Sequence, residues 1–163
     1  MHESLVEVFV ADLSNLDHRR AIVDMINTYA QDPMGNGGPL PAEVLSNLPD
    51  RLRQHPTTCI FLAYDRDQPV GIAVCFYGFS TFAAQRLLNI HDLSVIPTHR
   101  GRGIGRQLLS AAERHARDTN CCKLTLEVLE NNLAAKALYR SAGFAQLTYQ
   151  ADAGGALFYC KSL

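Results

Sequence analysis

Glycines at positions 101, 103 and 105, interleaved with Arg100, Arg102, Ile104 and Arg106, form the stretch of this chain best suited to chemistry. Glycine turns the backbone where other residues resist, so such a run can bring several N–H groups against one anion. An apolar run ends just before it and a helical pattern begins within it. A helix N-terminus adds unpaired N–H groups and a positive dipole end. The expected ligand is a phosphate or diphosphate, with the arginines supplying balancing charge. A tight turn that merely caps a helix would have the same composition, so the wider sequence decides between the two.

Spacing excludes two other phosphate loops. Arg106 and Gln107 follow Gly105, which breaks G-x-G-x-x-G, and no G-x-x-x-x-G-K-[ST] occurs. Further along lies Asn132-Leu-Ala-Ala135-Lys-Ala-Leu138-Tyr139-Arg-Ser-Ala-Gly143-Phe144, which closes on a helix-ending glycine.

These residues need elements to hold them. Residues 5–11 alternate apolar and polar side chains and predict a strand. Between 17 and 30, Ile22, Val23, Met25, Ile26 and Tyr29 share one face, which predicts an amphipathic helix stopping at Asp32-Pro33. Residues 32–41 are rich in glycine and proline and predict an irregular loop bordering a site. A second helix over 41–55 carries Val44, Leu45, Leu48 and Leu52, with a kink or break expected at Pro49. Residues 59–64 and 70–79 predict a hairpin, and 87–96 a further strand closed by Pro97. Ile104, Leu108, Ala112 and His115 set a helix over 104–118. Residues 123–129 read as a strand, 133–142 as a helix ended by Gly143, and 144–150 with 156–161 as a closing hairpin. The order is that of a mixed-sheet α/β domain with a central antiparallel meander. Without repeats or a linker, one domain over 1–163 is expected.

Composition narrows the partners. A chain of 163 residues, 47% hydrophobic, suits one domain with a full core. Fifteen basic against sixteen acidic residues leave a net charge of −1, which draws neither nucleic acid nor an anionic membrane. The Arg-Gly-Arg-Gly run has no neighbouring aromatic platform, so single-stranded RNA is not its expected ligand. No apolar run approaches the roughly 20 residues of a membrane span. Met1-His2-Glu3-Ser4 does not start a signal segment, so a cytoplasmic location is expected. The five cysteines, at 59, 75, 121, 122 and 160, lack C-x-x-C spacing and read as reduced thiols. Cys121 and Cys122 would point to opposite faces of a strand, so no metal site is expected.

Arg100, Gly103 and Gly105 match R-x-x-G-x-G, and Asn132, Ala135, Leu138, Tyr139, Gly143 and Phe144 match N-x-x-A-x-x-L-Y-x-x-x-G-F. With both motifs within residues 90–144 and the strand order above, the chain resembles the GNAT superfamily of acyl-CoA-dependent N-acetyltransferases. The resemblance implies a mixed, mostly antiparallel seven-stranded sheet flanked by about four helices and splayed between strands four and five. It implies acetyl-CoA as co-substrate, with the backbone amides of Arg100, Gly101, Arg102, Gly103, Ile104, Gly105 and Arg106 on its diphosphate. The pantetheine arm would pair with the strand ending Leu93-Ser94-Val95, and Asn132 and Ala135 would contact the cofactor chain. It also implies direct transfer in a ternary complex, and a homodimer as a common assembly of such folds.

Acetylating an amine requires a base to free it and an acid for the leaving thiolate. By resemblance Tyr139 is the acid, and the backbone at Leu93 and Ser94 polarises the thioester carbonyl. A core tyrosine packing helix against sheet is the competing reading. Many relatives carry a glutamate four residues before the position of Val95. Here that residue is His91, and an imidazole with a pKa of about 6.5 can take a proton at neutral pH. Asp92, expected on the opposite strand face, and Glu127 on the adjacent strand are the other candidates, Asp92 also for orienting a cationic substrate. Tyr77 and Phe79, with Phe82 and Tyr149, are candidates to line an acceptor pocket, although aromatic residues on strands more often belong to the core. The segment from Phe76 to Asp92 is also similar, more weakly, to diamine and polyamine acetyltransferases. The loop after the first helix offers one carboxylate, Asp32, which favours a small amine or amino acid over a long polycation. The expected function is transfer to a small-molecule amine. A protein N-terminal or lysine acetyltransferase and a non-enzymatic acyl-CoA-binding module are the alternatives.

Overall fold

The computed structural model describes residues 6–163, so Leu5, the first residue of the first predicted strand, lies outside the described residues. The chain forms two compact units, one ending at Leu129 and one running Glu130–Leu163.

In the first unit β1 (Val6–Val10), β2 (Thr58–Asp65), β3 (Gln68–Ser80) and β4 (Gln85–Val95) make an antiparallel meander. β5 (Leu124–Leu126) pairs in parallel with β4, giving the order β1-β2-β3-β4-β5. α1 (Leu16–Ala30) and α2 (Ala42–Gln54) lie between β1 and β2, and α3 (Ile104–Asp118) is the crossover from β4 to β5. β2 and β3 are buried on both faces, which is why they read as continuous apolar runs. One face packs Ile60, Leu62, Ile72 and Val74 against Ala21, Ile22 and Met25 of α1 and Leu52 of α2, with Phe9, Tyr64, Phe76 and Ile96 around them. The other face receives α3 through its buried Ile104, Leu108, Leu109, Ala112 and Ala116. Asn15 starts α1 by accepting from the N–H groups of Asp17 and His18, at 2.8 and 3.2 Å.

Four sequence expectations are corrected. α2 runs unbroken through Pro49: the proline removes one backbone hydrogen bond, while Leu48 and Leu52 pack on the core and keep the helix together. The sheet has five strands among the described residues instead of seven. Where the closing hairpin was expected, one bond joins the two segments, Ala156 N–H to Leu147 C=O at 2.9 Å, across a 3-10 turn at Ala151–Ala153. Leu157, Phe158 and Tyr159 are exposed, and β-forming residues without a paired neighbour make no ladder. Cys121 and Cys122 precede β5 instead of lying on it, the Cys122 N–H donating to Arg86 C=O at 2.8 Å. No described helix is long and apolar enough to cross a membrane.

In the second unit α4 (Leu133–Ser141) forms where its periodicity put it.

Candidate active site

β4 delivers the chain to the glycine loop. Ile96 N–H donates to Val70 C=O at 3.0 Å, Pro97–His99 makes one 3-10 turn, and Gly101 and Gly103 then adopt φ of +75° and +80°. A Cβ on either glycine would meet nothing within 4 Å, so backbone strain, and not crowding, reserves both positions for glycine. Gly103 starts α3 and has no side chain with which to cap it, an arrangement suited to an anion.

Gly71 fixes where that helix sits on the sheet. A Cβ there would lie 3.1 Å from Leu108 Cδ1, 3.2 Å from Ile104 Cγ2 and 3.3 Å from Ser94 C=O. Gly71→Ala is therefore expected to destabilise the protein by about 1–3 kcal/mol as α3 is levered off β3 and β4, which a thermal melt would register as a drop of several degrees.

Side chains fasten the loop at both shoulders. His99 Nε2 lies 3.3 Å from Asp65 Oδ2 at the end of β2, and its Nδ1 is 2.9 Å from Thr98 Oγ1. Arg100, expected to balance phosphate charge, turns its guanidinium back into the protein. Its Nε donates to Val95 C=O at 2.9 Å and its Nη2 to Asp32 Oδ2 at 2.6 Å. Asp32, expected among the substrate residues, thus faces the loop arginine. The Met34 N–H and the Arg100 guanidinium hold its carboxyl below the usual carboxylate range.

The central feature of β4 is a bulge. Ala73 faces Leu93 and Val74 faces Asp92, but Cys75 faces Ile90, so His91 is the extra residue. Sequence alternation placed His91 and Asp92 on opposite faces, and the bulge breaks that alternation. Asp92 lies opposite Val74 of the α1–α2 core, and the His91 ring meets Phe76 of the same core edge-on at 5.6 Å. Both side chains therefore serve one face. Burial raises the Asp92 carboxyl, and the His91 charge pulls it back in part. Tyr29 of α1 has its phenol pushed up by burial and then by the negative charges of Asp92 and Asp32, so it stands near both carboxylates.

Three more groups on this face escaped the sequence reading. His55 meets Phe76 edge-on at 5.1 Å, so Phe76 is flanked by two imidazoles. Thr58, opposite Phe76 across β2 and β3, keeps a buried hydroxyl with no hydrogen-bond partner among the described residues. Tyr29 had a signal, since it follows Ile22 and Met25 on the helix face. His55 and Thr58 had none.

Beyond the bulge Leu93, Ser94 and Val95 pair with Ala73, Ile72 and Gly71 on β3, while the parallel ladder to β5 covers only Leu88–Ile90 against Leu124–Leu126. The last five residues of β4 thus run past β5, as a strand edge that an extended ligand can join. Glu127, one residue past β5, is exposed.

Tyr77 does not join this face. Its hydroxyl is 2.6 Å from His115 Nε2 of α3, with Arg86 over its ring at 5.0 Å, so it packs beneath α3 on the opposite side of the sheet. The alternation of β3 that sends Phe76 to α1 and α2 sends Tyr77 away from them. Phe79, 62% exposed, shares the Tyr77 side of the strand and lines no pocket with His91. The buried thiols are poor nucleophiles: burial, then the charge of Cys121, raises Cys59 to about 11, and burial raises Cys75 further.

The second unit explains its motif residue by residue. Asn132 Oδ1 accepts from Ala135 N–H at 3.1 Å and starts α4. Gly143 ends it at φ +88°, Phe144 N–H donates to Tyr139 C=O at 3.0 Å, and the Tyr139 and Phe144 rings lie 6.0 Å apart. The helix end thus fixes the tyrosine ring.

Residues 22–144 match the family described as Acetyltransferase (GNAT) family. An uncharacterized N-acetyltransferase of Bacillus subtilis is 31% identical over 113 residues, covering 69% of this chain and 71% of its own. A thialysine N-epsilon-acetyltransferase of Caenorhabditis elegans is 29% identical over 133 residues, 81% of this chain and 80% of its own. Among solved structures, an aminoglycoside N-acetyltransferase in complex with CoA superposes with a TM-score of 0.76 at 14% identity, covering 99% of this chain and 98% of that one.

Proposed function

Since the chain belongs to the GNAT family and is an acetyltransferase, we propose that it moves the acetyl group of acetyl-CoA directly to a primary amine of a small molecule, in one ternary complex within one domain. The observation that carries this reading is the glycine loop: two glycines at positive φ lead into a helix whose N-cap is itself glycine, directly after a strand whose last residues run past their neighbour. Such a loop suits the diphosphate, and residues 93–95 suit the amides of the pantetheine arm. The amide group of Asn132 is a further contact for that arm. When bound, acetyl-CoA supplies an acyl group already activated as a thioester.

The chain's own residues do the rest. An alkylammonium with a pKa of about 10.4 is only about one part in 2,500 neutral at pH 7, a deficit of about 4.6 kcal/mol. His91 and Asp92, brought to one face by the bulge, take that proton. Of the backbone N–H groups at Leu93 and Ser94, which point to opposite edges of β4, the one directed away from β3 polarises the carbonyl oxygen that gains negative charge, and Tyr139 Oη gives a proton to the departing sulfur.

Asp92 carries a pH prediction. Its raised pKa keeps it protonated to a higher pH than an ordinary aspartate, so activity that needs the carboxylate is present above that value and lost as pH falls through it. The acid limb of kcat/KM should therefore lie above the usual carboxylate range and move in Asp92→Asn. An unmoved limb would leave the proton to His91 alone.

The acceptor is tested by CoA release across monoamines, diamines, polyamines, amino acids and short peptides at pH 7 to 9. Turnover with small amines is expected, in keeping with relatives named for thialysine and aminoglycosides. Turnover with peptides alone would replace this reading by a protein acetyltransferase.

A further inference from the structure

We propose that Asp32 is a positioning residue of the donor site: it holds Arg100 so that the first residue of the phosphate loop braces the loop between α1 and α2, and it does not bind the acceptor. The inference rests on the acetyl-CoA reading above. Both carboxylate oxygens are engaged, Oδ2 by Arg100 at 2.6 Å and Oδ1 by the Met34 N–H at 2.8 Å. The Asp32 side chain is only 13% exposed, against 50% for Arg100, so the aspartate is the fixed partner. It is fixed because its loop is folded onto the end of α1. Gly35 N–H donates to Asp32 C=O at 2.8 Å, and Asn36 and Gly38 N–H both donate to Ala30 C=O. A Cβ on Gly35 would sit 2.1 Å from Tyr29 C=O, so no side chain fits there without opening the loop.

Arg100 in turn ties this anchor to the site. Its Nε reaches the carbonyl of Val95, the last residue of β4, while its own backbone leads into Gly101 and Gly103. A planar guanidinium held by two acceptors fixes the orientation of the backbone that carries it, which a lysine's single ammonium cannot do. The positive-φ turn that presents N–H groups to a diphosphate is thus oriented from the acceptor-side loop. The charge consequence follows: the one carboxylate of that loop is neutralised within the protein, so Asp92 is left to meet the acceptor's cation.

Calorimetric titration of CoA into the wild type, Asp32→Asn, Arg100→Lys and the double variant tests this, with steady-state kinetics in parallel. Each single variant should raise the Kd for CoA by about ten-fold, and the double variant by no more than the worse single one. The acceptor KM and the kcat at saturating donor should stay within about two-fold, a split that general loss of structure would not produce. Turnover with S-acetylpantetheine, which lacks the diphosphate, should fall less than turnover with acetyl-CoA at sub-saturating donor. Arg100→Lys keeps the charge and carries the test if Asp32→Asn does not fold. A Kd that stays level or falls in the single variants, additive losses in the double variant, or a rise in acceptor KM alone would overturn the proposal while leaving the acetyltransferase reading intact. A wild type that binds no CoA would overturn both.

Discussion

Gly103→Val is expected to abolish measurable acetyl-CoA binding and leave the fold standing. Gly103 sits at φ +80°, a region where a β-branched residue is strained by at least about 1–2 kcal/mol. Because a Cβ there would meet nothing within 4 Å, no clash unfolds the protein. The backbone instead relieves itself by rotating the peptide units on either side, and those units carry the N–H groups on which the diphosphate depends. Hydrogen bonds to a charged group contribute about 1.5–3 kcal/mol each, so misaiming two of them weakens CoA by at least about 100-fold. Calorimetry should show that loss, while the melting temperature falls by only a few degrees. Normal affinity in the variant would remove the loop from the donor site.

Tyr139→Phe should lower kcat by ten-fold or more, on the order of 1.4 kcal/mol in the barrier, with CoA affinity within about three-fold of wild type. The separation is expected because backbone and ring contacts that phenylalanine shares hold the ring. Gly143 at φ +88° turns the chain, Phe144 N–H closes on Tyr139 C=O at 3.0 Å, and the two rings pack 6.0 Å apart. Phenylalanine keeps all of that and loses only Oη. A fall in kcat then reports a proton that is no longer given, and unchanged turnover would leave Tyr139 a packing residue.

What the sequence disclosed and what it hid divide along physical lines. Gly101, Gly103 and Gly143 were legible because only glycine holds positive φ cheaply, and all three take it. The capping role of Asn132 was not drawn from the sequence, where the motif offered it only as a cofactor contact, although a short polar side chain at a helix start is a common cap. The α1 and α3 patterns were legible because each buries a single face. The bulge at His91 was not, since one extra residue in a strand has no signature in an apolar run, yet it decides that His91 and Asp92 act together. The Arg100–Asp32 pair joins residues 68 apart, and nothing local announces it. Tyr77 stood open between pocket and core because strand aromatics face either way until the register is known, and its bond to His115 places it under α3. Pro49 was overestimated as a breaker because Leu48 and Leu52 have a core to pack on.

The most direct test is label transfer. The protein is incubated with acetyl-CoA carrying an isotopically labelled acetyl group and the amine selected by the acceptor panel, and both the amine and the protein are weighed by mass spectrometry. The label should appear on the amine nitrogen at a rate that depends on both substrates, with none retained on the chain, and Gly103→Val should transfer none. CoA binding without label on any amine or peptide, label lodged on a cysteine during turnover, or wild-type transfer by Gly103→Val would contradict direct acetyl transfer from a donor held at the glycine loop.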